Sequence, residues 1–395
     1  MFLIEVILLI YFSYVSAYSF ILSSAGLLLY KMPSFKKGNV RNNIAVFIPA
    51  YKEDAVILGV TQAALTQNYP KDLYTVIVIA DSLKTETLEQ LKKLNALTIE
   101  VSFEKSTKVR ALNKAMQLLP VSYDYAIILD ADNIMESDFL DKMNSLALQG
   151  FKAIQGNRSP KNENTSIALL DGLSETINNF IYRQGTVSLG MSSSLNGSGM
   201  FFDYKILKKT LSEMDSIGGF DRELELKLIE QEVKVFYAKN IIVLDEKVQD
   251  SKVFENQRKR WISSQFIYLR KYLGKGLKEL IKGNFTYFNS AVLRNIQLPR
   301  LLNLGFLLLV TTLSWVFKEV FNFSPWLWTA LFLSNILAMV FAVPKKYYSF
   351  KLLKAVWSLP MVFIKMFFIL FKLKGANSEF LHTPHHAPPD SSKNA

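Results

Sequence analysis

The stretch "YAIILDADN" ends an apolar run on two carboxylates, Asp130 and Asp132, one residue apart. Like charges that close repel, and keeping both ionised is costly unless a cation joins them. A hard divalent ion such as magnesium accepts one or two carboxylates and completes its shell with water and substrate phosphates. The pair therefore predicts a metal-phosphate ligand. Two other apolar runs also end on polar groups, "FIPAYKED" and "YTVIVIAD", the second closing on Asp81. A lone Asp after a strand commonly caps a helix or makes a turn. Three such endings sharing one rim are harder to explain that way.

Other chemistries are narrowed by what the chain lacks. It has no cysteine, hence no disulfide framework and no thiolate nucleophile, and its three histidines all lie in "FLHTPHH" near the C-terminus. A histidine-based metal site or triad in the middle of the chain is excluded. "PAYKED" follows the first strand where a dinucleotide fold would carry a glycine fingerprint, and no Gly-rich loop closes on Lys-Ser/Thr. An Asp-nucleophile phosphatase or a nucleotidyltransferase is compatible with "DAD" but leaves the rest of the rim unused.

The elements that must position these groups alternate from Ile44 onward. "IAVFIPA", "YTVIVIAD", "LTIEVSF" and "YAIILDAD" read as strands, with helices over 54–67, 85–95 and 108–119 between them. Short apolar strands separated by helices predict a mostly parallel sheet covered on both faces, a doubly wound α/β domain. Its ligand crevice lies beyond the carboxyl ends of the strands, where Asp81, Asp130 and Asp132 fall. Further on, "QGNRSPKNENTS" reads as a polar loop, "IALLDGLSETINNFIYRQG" as a helix, "SLNGSGMFF" as a turn entering a strand, and "GGFDRELELKLIEQ" as a helix with an acidic first turn.

Half of the 395 residues are hydrophobic, and the excess is concentrated at the two ends. Residues 1–30 are apolar over more than the roughly 20 residues a crossing needs, interrupted only by Glu5, and lack a basic start, which predicts a retained anchor. Lys31, Lys36, Lys37 and Arg41 follow at once, predicting a cytoplasmic side for the polar middle. Three more apolar stretches begin at Leu301, Trp326 and Leu352; Lys354, Pro360 and Lys365 make the last an interfacial or re-entrant helix rather than a fourth span. Over 252–282, Ile262, Phe266, Leu269, Leu273, Leu277 and Leu280 recur at helical spacing opposite Arg270, Lys271, Lys275 and Lys278, which suits the membrane interface. The net charge of +12 crowds beside these segments and so points to the lipid bilayer, with no nucleic acid as partner. The expected organisation is an anchor (1–30), a cytosolic α/β domain (42–250), interfacial helices (251–299), transmembrane or interfacial helices (300–374) and a polar tail (375–395).

Taken in order, "FIPAYKED", "IADS", "KVRALN", "LDAD", "QGNRSPKN", "NGSGMFF" and "DEKVQDSKVFENQRKRW" resemble the inverting family 2 glycosyltransferases. The layout is similar to their membrane-embedded branch, which includes cellulose and hyaluronan synthases. The likeness covers about 44–264 well. It implies a GT-A (Rossmann-like) fold and transfer of a sugar from a UDP-sugar donor to a glycan or lipid-linked acceptor. By the same resemblance Ala50, Tyr51 and Glu53 line the nucleoside pocket, Asp81 meets the base, and Lys108 sits close to the nucleotide. Asp130 touches the ribose or a metal-bound water, and Asp132 ligates Mg2+ or Mn2+. Gln257, Arg260 and Trp261 hold the acceptor end and the diphosphate. Where family members carry Glu-Asp ahead of Leu-Glu-Leu, this chain has Arg222 and Glu223, which makes Glu223 the general base, with Glu225 as the fallback. The tail "FLHTPHH" is similar to a segment that folds over the nucleotide in the synthases. Processive extension and single transfer both stand open, and a scaffold that keeps the fold without activity is the reading the altered base position favours.

Overall fold

The computed structural model describes residues 2–35, 40–120, 122–216, 218–373 and 375; the "FLHTPHH" segment lies outside them. The described residues form two compact units, one drawn from 32–162 and 194–247, the other from 2–31, 163–193 and 248–375.

The first unit is built on an eight-stranded sheet. Its strands are β1 (Ile44–Tyr51), β2 (Tyr74–Asp81), β3 (Leu97–Val101), β4 (Tyr125–Ile128), β5 (Ile134–Met135), β6 (Ala153–Pro160), β7 (Met200–Asp203) and β8 (Phe236–Asp245), in the order β3-β2-β1-β4-β7-β6-β8-β5. β3, β2, β1 and β4 run parallel; β7 enters antiparallel to both β4 and β6, and β6 and β8 are again parallel. Alternate side chains feed two cores. Ile44, Val46 and Ile48 of β1 join Val76, Val78 and Ile127 on one face, while Ala45 and Phe47 join Ile77, Ile79, Ala126 and Ile128 on the other. Both faces are covered, so these strands read as unbroken apolar runs instead of alternating ones. Each fully buried Ile or Phe contributes about 1.5–3 kcal/mol of transfer free energy.

One expectation is corrected. The stretch read as a polar loop, "QGNRSPKNENTS", begins as β6, which pairs with β7 and β8. Its polar side chains hid the strand because they are bonded inward: Gln155 is fully buried, donates to the carbonyls of Gly156 and Ser198 at 2.9 Å, and accepts from the Asn196 amide at 3.0 Å. β4 also ends earlier than the sequence implies, at Ile128, leaving Asp130 and Asp132 in the turn beyond it.

The second unit is helical. Phe2–Leu28 and Pro325–Ala342 are long and apolar enough to cross a membrane. Two bent pairs bring the number to four if each is one span: Phe285–Ile296 with Arg300–Val316, bent by 59°, and Phe350–Val356 with Leu359–Leu370, bent by 44°. Polar groups tie these apolar helices together. Glu5 accepts from the backbone and side-chain nitrogens of Asn322 and from the Phe323 amide at 2.8–2.9 Å, which satisfies a carboxylate otherwise out of place in such a helix. Tyr11 donates to Asn303 at 2.8 Å, Tyr18 to Asn289 at 2.8 Å, and Asn335 to Ser16 at 2.7 Å. Gly185 lets two backbones touch, since a Cβ there would lie 2.3 Å from the Leu22 carbonyl oxygen.

Within this unit the helix Ser251–Ile281 buries Ile262, Tyr268, Tyr272 and Gly276, with Gly276 directly against Val292 and Phe266 packed beside Ile262. Leu273, Leu277 and Leu280 remain exposed.

Candidate functional site

β1 and β2 end in register, Tyr51 opposite Asp81. Each strand is followed by a residue in the left-handed region, Lys52 at φ 57° and Ser82 at φ 58°. A non-glycine residue held there costs about 1–3 kcal/mol, and two on adjacent strand ends mark a rim whose shape is imposed by its surroundings. The Lys52 amide donates to the Asp81 carbonyl at 3.1 Å, closing the two turns on each other. Asp81 is buried, and the Ser82 hydroxyl donates to its carboxylate at 3.0 Å. Ala50 is buried at the strand end, with Tyr51 and Glu53 half-buried beyond it. Neighbouring Asp54 has a structural role: its carboxylate accepts from the Lys84 amide at 2.8 Å and the Thr87 hydroxyl at 2.7 Å, tying this loop to the helix Thr85–Lys93.

Lys108 opens the helix Lys108–Leu118, whose first turn is capped by the Thr107 hydroxyl accepting from the Arg110 amide at 3.2 Å. Capping fixes where the lysine emerges. Its ammonium is ion-paired with Asp130, donates to the Gly197 carbonyl at 2.7 Å, and stands 5.1 Å from the centroid of the Phe220 ring. The Asp130 amide in turn is within hydrogen-bond distance of the Ser198 hydroxyl, at 2.9 Å. The turn carrying Gly197 and Ser198 needs left-handed backbone at φ 91° and 61°, which is why glycines occupy 197 and 199. Asp132 is buried, and its carboxylate accepts from the Asn133 side-chain amide at 3.1 Å.

These partners revise the electrostatic argument drawn from the sequence. Asp130 is paired with the chain's own Lys108, so a metal is not the sole source of positive charge at this turn. The residues still fit a divalent cation. No group of three acidic, histidine or cysteine side chains converges among the described residues, so an ion would be held by Asp132, with water and a ligand's phosphates completing the shell. A carboxylate presented at a strand end beside a lysine suits that composition.

Further polar groups complete the arrangement. Asn133 is fully buried and donates also to Asp245, at 2.9 Å, so one amide bridges two carboxylates. Lys247, only 2% exposed, sits 2.6 Å from the other oxygen of Asp245, and Arg158 lies 3.7 Å from the oxygen that Asn133 holds. Backbone groups of Lys247 exchange hydrogen bonds with the Asn162 side chain at 2.7 and 3.1 Å. Their signal lay in "LDAD-N" and "DEK", polar residues adjoining apolar strands, but without contacts such residues read as loop.

Glu223 lies in the first turn of the helix Phe220–Glu230, buried, and accepts a hydrogen bond from the Ser216 hydroxyl. Glu225, two residues on, is 1% exposed. Ser216 follows Asp215, whose carboxylate takes a two-pronged bond from Arg110 at 3.0 and 3.1 Å. That guanidinium holds the Asp215 carboxyl below its ordinary range. The helix that presents Lys108 and the loop that restrains Glu223 are thereby joined.

Gln257, Arg260 and Trp261 belong to the helical unit, on Ser251–Ile281. Burial pulls the Arg260 guanidinium below its ordinary pKa, and Trp261 is exposed. Arg258, which the sequence reading passed over, is ion-paired with Asp171 and lies between two rings, 4.7 Å from Phe254 and 4.6 Å from Trp261.

A parallel sheet continued by antiparallel strands, with a DxD turn at the end of β4, is the architecture of a GT-A glycosyltransferase. Residues 41–264, more than half of the chain, match the family described as "Glycosyltransferase like family 2", and the chain belongs to that family. It is 27% identical over 219 residues to the dolichyl N-acetyl-alpha-D-glucosaminyl phosphate 3-beta-D-2,3-diacetamido-2,3-dideoxy-beta-D-glucuronosyltransferase of Methanococcus voltae. That alignment covers 51% of this chain and 66% of the relative, just under two thirds of its length. Among solved structures, the fold is similar to mannosyltransferase PcManGT from Pyrobaculum calidifontis, determined in complex with GDP-Man and Mn2+. The TM-score is 0.56 with 14% identity, over 93% of this chain and 97% of that one.

Proposed function

We propose that the protein is a membrane-bound inverting glycosyltransferase that moves a sugar from a UDP-sugar to a lipid-linked acceptor. The observation that carries this reading is the ion pair of Lys108 with Asp130, in the turn beyond β4 that also carries Asp132, on a sheet whose β2 ends at Asp81. Ala50, Tyr51, Glu53 and Asp81 form the nucleoside side of the site, and Lys108 meets the phosphates. A divalent cation, Mg2+ or Mn2+, held at Asp132 would offset the charge on the departing diphosphate; the solved relative's Mn2+ and GDP-Man are in keeping with this. Glu223 accepts the proton of the attacking hydroxyl while the Ser216 hydroxyl fixes its rotamer. Gln257, Arg260 and Trp261 serve the acceptor and the diphosphate, the feature that supports kinship with the membrane-embedded synthases.

The lipid-linked acceptor is supported by the apolar helices and by the acceptor in the Methanococcus voltae enzyme's name. The basic cluster after the first apolar helix supports a cytoplasmic side for the 42–250 domain. The test is release of nucleoside diphosphate from a panel of UDP- and GDP-sugars by membranes carrying the protein, with and without a polyprenyl-phosphate-linked acceptor. One UDP-sugar should respond to acceptor and to Mn2+ or Mg2+, and Asp132→Asn should abolish the response while leaving the protein's abundance and melting unchanged. Metal-dependent turnover at the wild-type rate in that variant would remove the assignment of Asp132. Release of inorganic phosphate without sugar transfer would replace the transferase by a phosphatase.

A further inference from the structure

The helical unit holds a group of arginines, Arg183 buried and Arg258 and Arg300 half-buried, that the nucleotide and base assignments leave unused. Arg258 donates to Asp171 on the helix Ser166–Asn179. One turn further along the same helix, Arg300 donates to the carbonyl and the hydroxyl of Ser174, at 2.7 and 3.2 Å. Arg183, on the wide π-helical turn that continues this helix, is 7% exposed and donates to Asn179 at 2.7 Å. Both Arg183 and Arg258 press electrostatically on Arg300.

Asp171 balances Arg258. Arg300 has only neutral partners, and its Nη1 is buried with no acceptor, as is Nε of Arg258. Burying a charged donor unpaired is costly, and clustering like charges adds to the cost. A buried donor of this kind suits an anion with several acceptor oxygens, and planar guanidinium forks match phosphate oxygens. Arg300 also opens the helix Arg300–Val316, which has no side-chain cap and is the second half of a bent apolar pair. The positive end of that helix adds to the attraction for an anion, as at the broken spans of transporters.

We infer that Arg300, Arg258 and Arg183 form the subsite for the phosphate of the lipid-linked acceptor, with Arg300 the principal contact. This rests on the transferase reading above. The apolar residues that follow Arg300, from Leu301 to Val316, give the lipid chain an apolar neighbour directly beside its headgroup.

The test uses the full chain in phosphatidylcholine nanodiscs and a fluorescent polyprenyl phosphate, with UDP affinity measured in parallel. Wild-type protein should bind the probe, polyprenol lacking the phosphate should fail to compete, and inorganic phosphate should compete only weakly because it lacks the chain. Arg300→Gln should weaken probe binding by about tenfold or more, the worth of a charge-assisted hydrogen bond, with UDP affinity unchanged. If that variant does not fold, Arg300→Lys carries the test: it keeps the charge but not the fork, and should bind the probe several-fold more weakly. Wild-type affinity for the probe in a folded Arg300 variant, or polyprenol competing as well as the phosphate, would overturn the subsite. UDP binding without any phosphate-dependent lipid binding removes the subsite alone, whereas loss of both in the wild-type protein removes the transferase reading with it.

Discussion

Replacing Lys247 by methionine isolates the buried charge that backs the DxD turn. The Lys247 ammonium is 2.6 Å from one oxygen of Asp245, while Asn133 occupies the other at 2.9 Å and reaches Asp132 at 3.1 Å. Methionine fills the space but removes the charge. Asp245 would then face Asn133 and an Arg158 that stands 3.7 Å away, too far to replace a contact ion pair. Breaking one side of a buried pair costs about 3–5 kcal/mol, and the residual attraction of Arg158 argues for the lower end. For a unit of this size about 3 kcal/mol lowers Tm by ~6–12 °C. Intrinsic-fluorescence melting of the purified protein in detergent reads this directly. The double variant Asp245→Asn with Lys247→Met removes both members of the close pair and should recover part of the loss, less the attraction of Arg158 for Asp245, a coupling that a double-mutant cycle measures. Because Asn133 bridges Asp245 and Asp132, the single variant should also weaken Mn2+ binding in the presence of UDP, followed by calorimetry. A single variant melting within about 2 °C of wild type, or a double variant no more stable than the single, would refute the argument that this pair holds the turn.

Glu223→Gln should reduce turnover by ~100-fold or more, the range for loss of a general base, with UDP affinity unchanged; near-normal rates would move the role to Glu225. Ser216→Ala removes one neutral donor to that carboxylate, so kcat should fall by about fivefold to tenfold with little change in KM for the donor. The Arg110–Asp215 pair carries the pH prediction. The folded-state pKa of Asp215 is depressed, so the pair's contribution is full above the unfolded value of about 3.9 and is lost as pH falls through the lower folded value. Both side chains are exposed, so Arg110→Gln should lower Tm by no more than about 2 °C at pH 7, and the difference should vanish at acidic pH below that window. A difference that grows on acidification would show that the pair is not its source.

Much of the site was legible because its residues sit where one-dimensional patterns change. β2 was bounded correctly at Tyr74–Asp81, since a parallel strand buried on both faces is an unbroken apolar run and its first polar residue marks the end. The same logic put Asp130 and Asp132 at the tip of the fourth strand, although β4 itself stops at Ile128 and leaves both in the turn beyond it. It failed for β6, where Gln155 and Asn157 carry polar side chains into a strand, because a polar group bonded inside a sheet looks the same in sequence as one facing water. Along Ser251–Ile281 the aliphatic spacing marked Leu273 and Leu277, which are exposed, and left the packed stripe unread: close approach to Val292 selects Tyr272 and Gly276, where the absence of a side chain matters more than hydrophobicity.

The chain's order of residue types by itself determined that there is a covered α/β sheet with acidic groups at its carboxyl rim, flanked by helices apolar enough for a bilayer. Those properties follow from local periodicity and from the cost of exposing apolar surface, and both are written residue by residue. Which charges meet was decided only in three dimensions: Lys108 with Asp130, Lys247 with Asp245, Ser216 with Glu223, and Arg300 with a serine in place of a carboxylate. Except for the close pairs Asp245–Lys247 and Ser216–Glu223, these contacts join residues far apart in the chain. A hydrogen bond is lost within an ångström or so of its best length and a Coulomb energy falls as the inverse of separation, so both depend on distances that only folding sets.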